Sequence, residues 1–137
     1  MANAEHLELL RLGADDWNRW YRRQVRTLAD LTAANLRGFD LSGLCLTGAL
    51  LRDADLRYAT LSAADCRGAD LRGARLDRAD LSGARLELTI GLTQEQVDGA
   101  SGNDTTTLPD GLRRPGHWAP EATAARMASL AWHPART

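Results

Sequence analysis

Leucine recurs every five residues through the middle of this chain. It stands at Leu31, Leu36, Leu41, Leu46, Leu51, Leu56, Leu61, Leu71, Leu76, Leu81 and Leu86, and Cys66 fills the one vacancy. Two residues ahead of each runs a second apolar series: Ala29, Ala34, Phe39, Leu44, then alanine at 49, 54, 59, 64, 69, 74, 79 and 84. The positions between and after these are mostly polar, which makes twelve uninterrupted copies of A(D/N)LXX over residues 29–88. A period of five fits neither regular element. On an α-helix each residue advances about 100°, so successive leucines would scatter round the cylinder. On a flat strand an odd spacing would send them to alternate faces. The chain must instead turn once per repeat, with both apolar positions pointing at a common axis. Glycine at the second position after the leucine (38, 43, 48, 68, 73 and 83) suits a corner that needs unusual dihedrals.

The flanks carry a different periodicity. Residues 1–28 read as two short helices, the first N-capped by Asn3 and stopped near Gly13. The second starts at Asp15 and runs to Leu28; its Trp17, Trp20 and Tyr21 fall on one face. With Val25 and Leu28 they form the expected lid on the open first coil, and Phe39 and Leu44 supply extra inward volume where it docks. After Leu88 the period breaks. Thr93 caps a short helix, TQEQVDGA, with Gln96 at the capping-box position. A turn-rich stretch over 101–118 is expected to cover the far end, and residues 120–133 form a weakly amphipathic helix with Ala124, Met127, Leu130 and Ala131 on one side. The chain thus divides into 1–28, 29–88 and 89–137 within one structural domain.

The run ADLRGARLDRADLSGARL and its upstream copies resemble the pentapeptide repeat proteins, over 60 of 137 residues. The order GLTQEQVDGA…LPDGLRRPGHW is similar to tails that follow the repeats in bacterial members. The resemblance implies an all-β solenoid, a right-handed quadrilateral β-helix with four repeats per coil. Twelve repeats then give about three coils, rising about 15 Å, capped by short N- and C-terminal helices. Residues twenty apart become neighbours, so Ser42, Ser62 and Ser82 stack, as do Asp40, Thr60 and Asp80.

Composition narrows the function classes. Aromatic content is 5%, lower than a conventional globule of this size would use, and the formal net charge is −1. All 17 basic residues are arginine. Over 29–88 nine acids face eight arginines, and Asp and Arg alternate along the run, so opposite fields are expected to cancel. That balance gives no attraction to nucleic acid or an anionic membrane. The sequence has no apolar signal core and no long apolar run, which points to a bacterial, cytoplasmic protein. Cys66 faces inward and Cys45 outward one coil earlier, so the two are expected to stay unbridged.

No phosphate loop, HExxH, CxxC or G-x-S-x-G pattern occurs. His6, His117 and His133 lie in the covers, and pairing any of them with Cys45 is only a formal nucleophile–base possibility. The aspartates read as corner decoration. No catalytic, cofactor or metal residue is therefore expected. The function that fits is a non-catalytic scaffold or interaction module for an unknown protein partner, monomeric or dimeric through a terminal cap. Its candidate surface is Leu50 and Tyr58, which stand where polar residues are usual, with Ser42, Ser62 and Ser82. The alternative, an acidic DNA mimic acting on a type II topoisomerase such as gyrase, is opposed by the near-zero charge and the short rod.

Overall fold

In the computed structural model, which describes residues 2–24 and 28–118, the repeats wind into four-sided coils of twenty residues. Each side contributes a single parallel bridge residue rather than an extended strand. The bridges form four columns: Asp30–Leu50–Asp70–Ile90, Asn35–Asp55–Arg75, Asp40–Thr60–Asp80–Ser101 and Cys45–Asp65–Arg85–Thr107. These are called the first to fourth sides below. Successive coils are tied by regular backbone bonds, such as Asp55 N–H to Ala34 C=O at 2.9 Å and Leu41 N–H to Thr60 C=O at 2.7 Å. The serine and Asp40–Thr60–Asp80 stacks follow from this register.

Each corner is a tight turn closed from the leucine carbonyl to the alanine amide three residues on, as in Ala34 N–H to Leu31 C=O at 3.1 Å. The third turn residue has positive φ at all twelve corners from 33 to 88, between 58° and 74°. That is the requirement of a type II turn, where glycine is at ease. Six corners hold glycine, but Ala33, Asp53, Tyr58, Ala63, Arg78 and Leu88 adopt the same conformation. The inward leucines and alanines fill the interior. All eleven leucines of the period are at most 2% exposed and Cys66 is 1% exposed. Both thiols are free, and burial pushes the Cys66 thiol up to about 12.

Helices α1 (Ala4–Arg11) and α2 (Ala14–Arg23) close the first coil. Asn3 caps α1 through its side chain, which accepts from the Glu5 and His6 amides. Trp17 is fully buried and stacks with Tyr21, with Trp20 beside both. The helix stops at Arg23, short of the expected end, so Leu28 lies off it and is 51% exposed. Val25 and the expected helix over 120–133 lie outside the described residues, as does His133.

The two lid helices also complete the backbone ladder. In later coils each bridge residue donates to and accepts from the coil before it. On the first coil, Asp30 N–H donates to His6 Nδ1 at 2.9 Å and Asp30 C=O accepts from Asn3 N–H. Cys45 N–H donates to Asn18 Oδ1 at 2.7 Å, and Cys45 C=O accepts from Trp17 Nε1. Tyr21 OH donates to Thr47 C=O. The first and fourth sides are thereby sealed, and Asn18 Nδ2 donates to Gly43 C=O at 3.0 Å on the third; among the described residues the second carries no such cap.

The far end departs from a simple cover. The bridges at Ile90, Ser101 and Thr107 continue three of the four columns, so the stack runs into a partial fourth coil beyond the expected three. On the second side α3 (Gln94–Asp98) replaces the missing rung. Its Gln96 amide donates to Leu71 C=O and, at 2.7 Å, to Ala74 C=O, which a backbone N–H would otherwise fill. Thr93 and Gln96 form the capping box read from the sequence. A 3₁₀ turn (Gly116–Trp118) then sets Trp118, fully buried, against Gly102, with its Nε1 donating to Ala100 C=O.

Candidate interaction surface

The outward residues sort by side, and that sorting decides what each surface offers. Most outward carboxylates are engaged in the fold. Oδ1 of Asp30, Asp40, Asp55, Asp65, Asp70 and Asp80 accepts the N–H two residues on, at 3.0–3.3 Å, and so fixes the corner. Asp55, Asp65 and Asp70 also take two-pronged bonds from Arg57, Arg67 and Arg72. The Arg57 side-chain bonds hold the Asp55 carboxyl down at about 2. Asp70 is only 6% exposed; Arg72, with Arg52 at 3.5 Å, holds its carboxyl at about 2 against the opposing effect of burial. These acids are spoken for as corner ties, which leaves them poor candidates for general acid–base chemistry.

The first side is the aliphatic one. Leu50 is half-buried between Asp30 and Asp70, and Ile90 below them is 49% exposed. A groove of about 310 Å³ lies here, lined by Thr32, Leu50, Arg52, Asp70 and Arg72. The third side is smooth and polar: Ser42, Ser62 and Ser82 stack, each partly exposed, beside Asp40 and Asp80. The second side holds Tyr58, 50% exposed on a left-handed corner, with the Arg37 guanidinium 5.0 Å from its ring centre. The sequence candidates therefore occupy three different surfaces: Leu50 on the first, Tyr58 on the second and the serines on the third.

At contact range the register separates the alternating Asp and Arg charges by side, although the run as a whole stays near neutral. Each side comprises a bridge column and the corner that follows it. The second side carries Arg37, Arg57, Arg75 and Arg78 against Asp55 and Asp77, a balance of four to two that leaves +2. The third side carries Asp40 and Asp80 and no arginine, leaving −2. The linear alternation becomes segregation because residues five apart go to different sides while residues twenty apart share one.

Among the described residues no group of His, Cys, Asp and Glu is placed to hold a metal ion. His6 and His117 are engaged with backbone at opposite ends of the stack, so neither meets Cys45 as a base. No described helix is long and apolar enough to cross a membrane.

A family model described as pentapeptide repeats matches residues 27–53 and 49–87, in eight copies. Among solved structures, a pentapeptide repeat protein from the thylakoid lumen of Arabidopsis thaliana is 24% identical over 70% of this chain and 75% of its own, with a TM-score of 0.29. Rfr23, from the cyanobacterium Cyanothece 51142, is 28% identical over 63% and 67% of the two chains, with a TM-score of 0.24. A third, from Nostoc Pcc 7120, is 28% identical over 78% and 87%, also at 0.24. No curated protein matches the chain. Residues 27–87 of this chain are pentapeptide repeats.

Proposed function

We propose that the protein is a non-catalytic interaction module: a short right-handed quadrilateral β-helix, closed by its terminal helices, that presents differentiated sides to a protein partner. One observation carries this reading. Inward positions and backbone groups are committed to the stack, and six outward aspartates are tied to corner amides. What the fold leaves free to vary is the set of exposed side chains on each side, a rigid pattern suited to short-range complementarity. The match of residues 27–87 to pentapeptide repeats supports the non-catalytic part.

The test is affinity capture from the source organism with the full chain and three surface variants: Leu50→Asp, Tyr58→Gly and Ser62→Glu. Retention of a defined protein that one variant abolishes, with unchanged melting temperature, is the expected result. Retention of no protein, or only of proteins that none of the three variants releases, or recovery of a chemical turnover that survives all three, would overturn the reading.

A further inference from the structure

The second side combines three features that do not coincide elsewhere on the described surface. Within the repeats it carries the largest positive balance of the four sides, four arginines to two aspartates, with Glu95 and Asp98 of α3 beyond its last coil. Among the described residues three of those arginines, Arg37, Arg75 and Arg78, form no ion pair, whereas Arg57, Arg67, Arg72 and Arg85 each sit on a neighbouring carboxylate. And it holds a half-exposed tyrosine whose ring is braced by one of those unpaired guanidinium groups. Tyrosine and arginine, with tryptophan, are the residue types enriched among the side chains that carry most binding energy at protein interfaces, because each offers large contact area and directed polar contacts.

We infer that the second side, centred on Tyr58 with Arg37, Arg75 and Arg78, is a docking surface for an acidic segment of a protein partner. The inference rests on the interaction-module reading and adds the side and the partner's chemistry. Charge complementarity selects the occupant. Unpaired arginines gain two-pronged bonds from carboxylates, and the Tyr58 ring supplies an apolar anchor for a side chain next to them. A nucleic-acid strand fits less well, since its continuous line of phosphates needs an unbroken basic track and Asp55 and Asp77 interrupt the arginines. A short segment can instead set single carboxylates on Arg37, Arg75 and Arg78. A second copy of the chain offers the −2 third side, but among the described residues that side has no large exposed apolar residue to meet Tyr58.

The test selects a phage library of random 12-residue peptides against the full chain. Expected are peptides enriched in Asp and Glu beside an aliphatic or aromatic residue. Their affinity should fall tenfold or more for Tyr58→Gly and for Arg75→Glu, and change less than twofold for Ser62→Glu. Glycine is chosen at 58 because its φ of 62° suits glycine, so the ring is removed without straining the corner. Peptides lost to Ser62→Glu or Leu50→Asp instead would move the interface to another side, overturning this inference while leaving the module reading intact. Displacement of the peptides by an equimolar 20-nucleotide single strand would reassign the side to nucleic acid. Self-association abolished by Arg75→Glu would make the occupant a second copy. No enrichment over bare support would overturn the docking surface, while the module reading is decided separately by the capture experiment.

Discussion

His6 of α1 accepts the backbone N–H of Asp30 on its Nδ1 at 2.9 Å, in the place where every later coil receives a carbonyl from the coil before it. The imidazole is 5% exposed and tilts against Trp20, with ring centres 4.9 Å apart. A side chain thus stands in for a missing rung. His6→Ala should cost about 1–3 kcal/mol, the penalty for stranding a buried donor, with further loss from packing. His6→Asn, which keeps an acceptor, should recover part of it. Equal melting temperatures for wild type and His6→Ala would show that the lid does not depend on this bond.

The corners give a second prediction with opposite signs at equivalent positions. Ala63 adopts φ of 59°, a conformation that costs an L-residue about 1–2 kcal/mol. Ala63→Gly relieves that cost and loses about 0.4–1 kcal/mol to the entropy of the unfolded chain, so a net gain between zero and about 1.6 kcal/mol is expected. Gly68→Ala, where φ is 73° and the nearest neighbouring atom would lie at 3.8 Å, should lose about 1 kcal/mol through strain alone. Chemical denaturation midpoints shifting the same way in both variants would contradict the shared corner geometry.

Much of this architecture was legible in the residues. A five-residue apolar period with nothing else to satisfy it demands one turn per repeat, and Leu61 and Cys66 follow from counting alone. Thr93 and Gln96 announced their capping box by spacing. Other features leave no periodic trace. Nothing in the sequence of α1 marks His6 as a substitute for a carbonyl, because its target is 24 residues away. The partial fourth coil was hidden because Asp80 pairs with Ser101 and Arg85 with Thr107, separations of 21 and 22 that break the period. Charge segregation was hidden differently: reading Asp and Arg along the chain averages over four sides that only the twenty-residue register separates. The candidates Leu50, Tyr58 and Ser62 were each visible as departures or repeats, but their distribution over three sides needed that register.

The inward and outward assignments lead to a third prediction. Leu61 is 2% exposed in the middle coil, with leucines of the same column above and below. Leu61→Ala should cost about 2–5 kcal/mol through lost burial and the cavity left behind. Ser62 is partly exposed, and Ser62→Ala should stay within about 1 kcal/mol. Coincident unfolding curves for the two variants would be incompatible with the stack.

Acid sensitivity should trace to the corner carboxylates. The folded state holds the Asp70 carboxyl at about 2 through Arg72 and Arg52, below its ordinary value near 3.8. A carboxyl whose folded value is depressed contributes stability that is fully present above the unfolded value and lost as pH falls through the folded one. The loss attributable to Asp70 therefore falls between about pH 4 and pH 2. Asp70→Asn should flatten the fall in melting temperature across that window while leaving the curve above pH 5 parallel to wild type. An unchanged slope would show that the pair with Arg72 adds nothing to the acid response.

The last prediction concerns a role this rod does not suit: it should not inhibit DNA gyrase by occupying the duplex site. A mimic must present a long field of one sign, because a duplex carries one charge per about 1.7 Å, or about nine over the length of three coils. Here the most acidic side carries two uncompensated aspartates, Asp40 and Asp80, and the adjoining side is positive. Their bonds to the Ser42 and Ser82 amides also hold these carboxylates close to the corners instead of presenting them at phosphate spacing. Beyond a Debye length of about 8 Å the opposed sides merge into a nearly neutral object, so no steering toward a basic DNA channel remains. A supercoiling assay at low salt, from equimolar to hundredfold excess of the full chain, should show undiminished gyrase activity. Dose-dependent inhibition that survives Asp40→Asn with Asp80→Asn would mean that the contact is not charge mimicry; inhibition abolished by that pair would make the third side a DNA-like surface after all.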